Sequence, residues 1–401
     1  MIPDIRIQDF DYDLPDDRIA KYPLPERDSS KLLLYKDGAC TDYIFRQLPD
    51  LLPQDTLMVF NDTKVVPARL FFRRESGARI EIFCLQPVQP AEYVSSFAAT
   101  ESCSWECVIG NSKRWKGEEP LLFDTDDPEL SAIRLSARLL EKDGRTGTVE
   151  FSWQGGLPFS AVLEMCGRIP IPPYLGRETE SIDLERYQTT YARIRGSVAA
   201  PTAGLHFTED TLQRIDARGI LRENVCLHVG AGTFLPVKSE KIAEHPMHRE
   251  PFSVSSRLLR ELAAAERPVA AVGTTSVRTL ESLYYIGCRC IEDGEPSEVG
   301  QWDPYTRDWP YSTGDALLAL AEYIDKSGRD RFFTGTSIII VPGFRYRVTD
   351  MLVTNFHQPQ STLLLLVSAF VDGDWRTIYR HALDGGYRFL SYGDSSLLFR
   401  R

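Results

Sequence analysis

Val269-Ala-Ala-Val-Gly-Thr-Thr-Ser276 is the stretch on which the fold turns. A short apolar run ends on a glycine, three hydroxyl residues follow, and apolar positions then recur at helical spacing through Ile286. That is a buried strand, a tight turn and a helix start. Related junctions flank it along the chain. Val225–Val229 leads into Gly230-Ala-Gly232, Ile338–Val341 into Pro342-Gly343, and Met351–Thr354 into Asn355-Phe-His357 with a helix from Ser361. Phe159–Cys166, closed by Gly167, and Asp183–Arg193 read as helices. Thr208 reads as the N-cap of another, with Glu209 and Asp210 in its first turn and Gly219 at its end. Strands alternating with helices predict an α/β sheet.

Residues 65–155 differ in texture. Val65–Phe72, Arg79–Leu85, Trp105–Ile109, Ile133–Leu139 and Gly147–Trp153 are short β-rich runs separated by turn residues. They predict a small antiparallel barrel or sandwich. The expectation is an α/β main domain, residues 1–62 and 157–401, with a small antiparallel barrel or sandwich inserted at 63–156. The acidic, aromatic, turn-rich stretch 290–334 reads as an insertion or mobile lobe.

Bulk composition is that of an ordinary globular protein: 401 residues, 43% hydrophobic and 26% charged. The opening residues are acidic where a secretory leader is basic and apolar. The longest apolar run, Leu363–Val367, is too short for a membrane span. The eight cysteines show no Cys-x-x-Cys spacing, so the expectation is reduced thiols in a cytoplasm and no structural metal. A net charge of −11 argues against a general nucleic-acid binder. Local basic clusters at Arg73/Arg74/Arg79, Lys113/Arg114/Lys116 and Arg193/Arg195 leave a local contact surface open.

In α/β sheets, ligands bind outside the carboxyl ends of the strands. Gly273, Thr274, Thr275 and Ser276 open a helix whose free amides favour a carboxylate or phosphate, although plain capping explains the same residues. Gly196-Ser-Val-Ala-Ala-Pro-Thr-Ala-Gly-Leu-His-Phe-Thr208 has neither helical nor strand period. Its small residues admit a close ligand, and Ser197, Thr202, Gly204 and His206 stand out there. His228-Val-Gly230-Ala-Gly232-Thr233-Phe lacks the third glycine and following helix of a dinucleotide turn, which also argues against an ordinary methyltransferase. His245-Pro-Met-His248-Arg-Glu250 suits acid–base work better than metal ligation. Asn355, His357, Ser361 and Thr362 lie between a strand and a helix, where Asn355 can read a heterocycle edge. Asn61-Asp62-Thr63 and Arg69 belong to a polar cluster that turns alone can explain. Four of the six histidines, at 206, 228, 248 and 357, lie in or beside these junctions.

With these residues in view, the chain resembles the S-adenosylmethionine:tRNA ribosyltransferase-isomerase family of queuosine biosynthesis. The resemblance runs nearly end to end. It is carried by Phe10–Pro15, Ile19–Leu24, Phe60–Arg69, Gly196–Thr208, Leu227–Phe234, His245–Glu250, Gly273–Ser282, Thr354–Phe370 and Tyr387–Asp394. It implies an α/β domain with an inserted barrel. It implies tRNA bearing 7-aminomethyl-7-deazaguanine at the wobble position as acceptor, and S-adenosylmethionine as co-substrate. Epoxyqueuosine in tRNA, adenine and methionine would be the products. No metal or redox cofactor is implied, and the expected enzyme is a cytoplasmic monomer. The chemistry asks for a base near ribose C5′: His206 first, His248 or Glu250 as alternatives. Adenine needs a proton or hydrogen bond, from His228, His357 or Asp62. The methionine carboxylate needs amides or a cation, from Gly273–Ser276 and Arg278. Lys113, Arg114, Lys116, Arg193 and Arg195 are the candidates for tRNA contact. Gln358 and Gln360 depart from the family pattern. A divergent paralogue with another deazapurine or RNA acceptor, and a catalytically dead RNA-binding protein, are the competing readings.

Overall fold

The structure is a computed structural model that describes residues 2–116, 119–228, 237, 239–264 and 266–400. Among the described residues, a nine-stranded mixed sheet forms the main domain. Its middle is parallel. Leu57–Asn61 lies between Leu221–Leu227 and Val269–Val272, and Met351–Asn355 runs parallel beside the latter. Every residue of Leu57–Asn61, Val269–Val272 and Met351–Asn355 is buried, as expected of strands covered on both faces. Their carboxyl ends therefore point one way. On one side Glu250–Ser255 pairs antiparallel with Leu221–Leu227 and Arg331–Thr336 antiparallel with it; on the other Ser395–Phe399 pairs antiparallel with Met351–Asn355, Lys31–Lys36 lies parallel beside it, and Ala39–Ile44 closes the edge antiparallel.

The second body is a closed barrel in the order Thr146–Ser152, Ser102–Ile109, Arg79–Gln89, Arg69–Arg73, Leu121–Phe123, Ser136–Asp143. All its pairings are antiparallel. Burial alternates along Thr146–Ser152, so Val149 and Phe151 fill the interior with Phe72, Ile82 and Trp105. The sequence reading of a barrel or sandwich resolves to a barrel. The barrel's apolar cluster continues past residue 156, because the helix Phe159–Cys166 adds Phe159, Val162 and Leu163 to it.

Three elements differ from the sequence reading. Ile338–Val341 is not a strand; it is a buried extended segment. Its polar groups are met sideways, Ile339 N by the Gln301 carbonyl (3.2 Å) and Ile339 O by the Tyr305 hydroxyl (3.1 Å). The helix expected over Asp183–Arg193 is only Ser181–Arg186, and Ile194–Ser197 pairs in parallel with Thr63–Val65. Residues 290–334 form no separate lobe. Thr313–Lys326 is a helix burying Leu317, Leu320 and Ile324 in the main core. Arg331–Thr336 is the edge strand of the main sheet.

Helix Thr274–Asp293 runs well beyond Ile286 and crosses Thr313–Lys326 at Gly287. A Cβ there would lie 2.0 Å from the Ala316 carbonyl oxygen. Gly→Ala in a helix ordinarily stabilises by about 1 kcal/mol. Here the clash is with backbone, which cannot rotate away, so overpacking wins. Gly287→Ala is expected to destabilise the protein by about 1–3 kcal/mol, read as a lower urea midpoint at unchanged slope.

Candidate active site

A cavity of about 180 Å³ opens at the carboxyl ends of Val269–Val272 and Met351–Asn355. Its walls include Ala199–Ala203, His245 with Met247–Glu250, Gly273–Thr275 with Arg278, Ile338–Ile340 and Thr354–Leu363. Gly273 makes the turn possible. Its φ of +89° is a backbone conformation that side chains resist. Among the described residues no side chain caps the helix that follows, so its first-turn amides can meet a ligand.

Arg278 and Glu250 form a buried ion pair on this wall, with side chains 7% and 5% exposed. Arg278 Nε donates to the Ile338 carbonyl (3.1 Å). Its Nη2 is buried without a partner among the described residues. Burial pushes the Glu250 carboxyl above its ordinary value, and the Arg278 guanidinium opposes that push. The arrangement suits an incoming carboxylate, which would complete the arginine's donor set and meet the helix amides.

Asn355 stands on the same wall. Its Nδ2 donates to the Leu390 carbonyl (3.3 Å) and faces His206 Nε2 (3.1 Å). His206 Nδ1 meets Ser30 Oγ at 2.9 Å. His206 itself is 5% exposed, packs on the Phe45 ring, and does not line the cavity. Burial, with the Arg388 guanidinium nearby, drops its pKa to about 3, so the ring is neutral. Both ring nitrogens are thus engaged within the fold, one with Ser30 and one with Asn355.

His248 is exposed at the cavity rim, and His357 lies on the wall with Nε2 3.0 Å from Thr354 Oγ1. Burial holds His357 neutral, with a pKa near 4. Thr202, Thr274, Thr275, Ser361 and Thr362 also line the cavity, although Ser361 Oγ caps the helix Thr362–Phe370 by accepting from Leu364 N.

Other candidates lie elsewhere. Ser197 Oγ donates to the Ala199 carbonyl (2.8 Å), and Ser276 Oγ to the Val272 carbonyl (2.7 Å); both are structural and fully buried. Gly204 serves packing, since a Cβ there would meet the Tyr191 hydroxyl at 1.9 Å. His228 is stacked on Tyr93, ring centroids 4.3 Å apart, against Gly196. Asp62 is buried off the cavity wall, its carboxyl pushed up by burial while Arg331 and Arg193 pull it down. Arg69 is on the barrel and paired with Glu81 (2.5 Å). Lys113, Arg114 and Lys116 are exposed on the barrel, and Arg195 pairs with Glu164 (2.8 Å). Arg193 lines a separate polar groove with Tyr191 and Arg222. Gly230, Gly232 and Thr233 fall outside the described residues.

The cavity also has walls that sequence reasoning missed: Tyr174, Tyr187, Met247, Ile338–Ile340 and Ser391. Gln301, from the supposed lobe, holds the histidine segment in place. Its Oε1 accepts from Met247 N (3.0 Å) and its Nε2 donates to the His245 carbonyl (2.7 Å). Among the described residues no cluster of three metal-ligating side chains occurs, and no helix is long and apolar enough to cross a membrane.

Fold and cavity define the class: an α/β protein with an inserted β-barrel and a cavity at the carboxyl ends of its parallel strands. The chain belongs to the S-adenosylmethionine:tRNA ribosyltransferase-isomerase family, and residues 7–398 match the family described as Queuosine biosynthesis protein. Relatives bearing that enzyme name include one from Anaeromyxobacter sp. (strain Fw109-5), 40% identical over 99% of both chains. Another, from Pelobacter propionicus, is 39% identical over 98% of this chain and 99% of its own. A third, from Legionella pneumophila (strain Paris), is 37% identical over 98% of this chain and 99% of its own. A crystal structure of S-adenosylmethionine tRNA ribosyltransferase from Thermotoga maritima is 28% identical, covers 97% of this chain and 99% of its own, and superposes with a TM-score of 0.46.

Proposed function

We propose that this enzyme transfers and isomerises the ribosyl part of S-adenosylmethionine onto the aminomethyl group of 7-aminomethyl-7-deazaguanine at the tRNA wobble position. Epoxyqueuosine in tRNA, adenine and methionine are the products. Family membership supports the reaction class. The observation that carries the site is that two residues lining the cavity each hold a buried polar atom without a partner among the described residues, the donor Arg278 Nη2 and the acceptor Asn355 Oδ1. A zwitterionic amino-acid end needs both.

The sulfonium acidifies the neighbouring C5′–H. A base removes that proton and adenine leaves; the substrate amine then adds, and loss of methionine closes the epoxide. His248 is the base in this reading, because it reaches the cavity from the rim and Glu250 is tied to Arg278. Arg278 with the Thr274 and Thr275 amides takes the methionine carboxylate. His357, neutral and on the wall, hydrogen-bonds the departing adenine. Every step is acid–base or displacement chemistry, so no resident metal or redox cofactor is required. The basic residues at 113, 114, 116, 193 and 195 are the proposed tRNA contacts, and a monomer acting in the cytoplasm is the proposed working form.

Incubation with S-adenosylmethionine and tRNA carrying the aminomethyl-deazaguanine, followed by nucleoside mass spectrometry and adenine assay, tests this. Epoxyqueuosine with equimolar adenine is expected. Gln358 and Gln360 line the cavity. They give a second reading its footing, a paralogue with another deazapurine or RNA acceptor. That reading predicts tight S-adenosylmethionine binding with no epoxyqueuosine.

A further inference from the structure

The geometry points to Asn355 as the reader of the α-ammonium of S-adenosylmethionine, with His206 as the positioning residue that fixes which end of the amide faces the ligand. This rests on the proposed use of S-adenosylmethionine and deepens it.

The orientation of Asn355 follows by elimination. The Leu390 carbonyl can only accept, so the amide nitrogen must be the group facing it. The same nitrogen faces His206 Nε2, which must therefore accept as well. The His206 proton then lies on Nδ1, where it is donated to Ser30 Oγ. Burial keeps the ring neutral, so it never presents a second proton to Asn355. Oδ1 is left over, buried, with no partner among the described residues, on a side chain that lines the cavity. The large majority of buried side-chain acceptors are satisfied within a fold, and among the unsatisfied ones this oxygen belongs to a residue of the cavity wall.

The strand register says which ligand group arrives there. Val272 pairs with Val353, and Gly273 N donates to the Val353 carbonyl at 2.8 Å. Asn355, two residues further on, therefore lies beside the first turn of Thr274–Asp293. A carboxylate held by that turn and Arg278 places its α-ammonium next to Asn355. An acceptor satisfies an ammonium, whereas the amide turned over would put N–H against N–H.

Isothermal titration of the full chain with S-adenosylhomocysteine and with its analogue lacking the α-amine tests this without turnover. The wild type is expected to prefer the amine by roughly 10- to 100-fold, the range of a charge-assisted bond to a buried acceptor. Asn355→Leu should bring the two affinities within about twofold. His206→Leu should cut the preference at least about threefold, while His206→Gln, which keeps an acceptor for Nδ2, should retain it. Thermal melts identify folded variants, and the paired His206 variants keep the test decisive if Asn355→Leu unfolds. Equal wild-type affinities, or an undiminished preference in His206→Leu, overturn the inference and leave the proposed reaction standing. Failure of the wild type to bind either compound overturns both.

Discussion

Arg278→Met is expected to abolish measurable S-adenosylmethionine binding and to remove about 3–5 kcal/mol of stability at neutral pH, the usual loss when one partner of a buried ion pair is deleted. Two effects coincide at this residue. The ligand loses the cation that would complete its carboxylate, and Glu250 is left buried opposite an apolar chain. The stability loss should depend on pH with a definite sign. Burial already raises the Glu250 pKa, with Arg278 pulling it down. Without the arginine, the folded pKa rises further above the unfolded one. Folding then favours the protonated acid, so the variant should be most nearly normal below the ordinary glutamate range and lose stability as pH rises through it. Urea melts at several pH values check the slope. The double variant Arg278→Met/Glu250→Leu separates the two effects. It should recover most of the stability, because an apolar pair replaces a buried ion pair at little cost. It should not recover binding. If Arg278→Met binds the ligand as tightly as the wild type, the carboxylate seat lies elsewhere.

What the sequence disclosed about this site was whatever depends on near neighbours. Val269–Val272 followed by Gly273 announces a strand and a turn because apolarity and φ are local properties, and Thr208 does cap its helix by accepting from Thr211 N (3.2 Å). Ile338–Val341 is as apolar as the true strands but is denied a ladder by the way residues 299–305 lie across it. No local pattern reports that. The role of His206 was hidden for the same reason. Its two partners, Ser30 and Asn355, are 176 and 149 residues away in sequence. A histidine in a small-residue loop looks like a base until the fold shows both nitrogens spoken for. Tyr174 and Tyr187 reach the cavity from a proline-rich stretch and from just past a helix end, and carry no signal beyond aromaticity. Residues 290–334 misled by composition. Acidic residues abound there, but Ala316, Leu317, Leu320, Ala321 and Ile324 are spaced to bury one side of a helix.

With His206 off the cavity wall and His248 at its rim, His248 is the sharper test of the chemistry. His248→Ala is expected to lower kcat by roughly 10²- to 10⁴-fold, the usual contribution of a positioned proton acceptor. The affinity for S-adenosylhomocysteine should stay within about threefold, because the carboxylate and ammonium contacts reside on Arg278 and Asn355 rather than at the rim. Adenine release in single-turnover assays is the readout, since it follows proton removal directly and is blind to tRNA product release. His206→Leu should show the complementary pattern, a weakened ligand affinity with a smaller change in the chemical step. Because His248 is exposed, its truncation should leave stability within about 0.5 kcal/mol of the wild type, so a lost activity cannot be blamed on a lost fold. Should His248→Ala retain turnover, the remaining proton acceptors on the same segment are His245 and the carboxylate Glu250. Use of Glu250 as base would require the carboxylate to leave Arg278 during the reaction, a motion that Glu250→Gln, which keeps the hydrogen bond but cannot take a proton, would block.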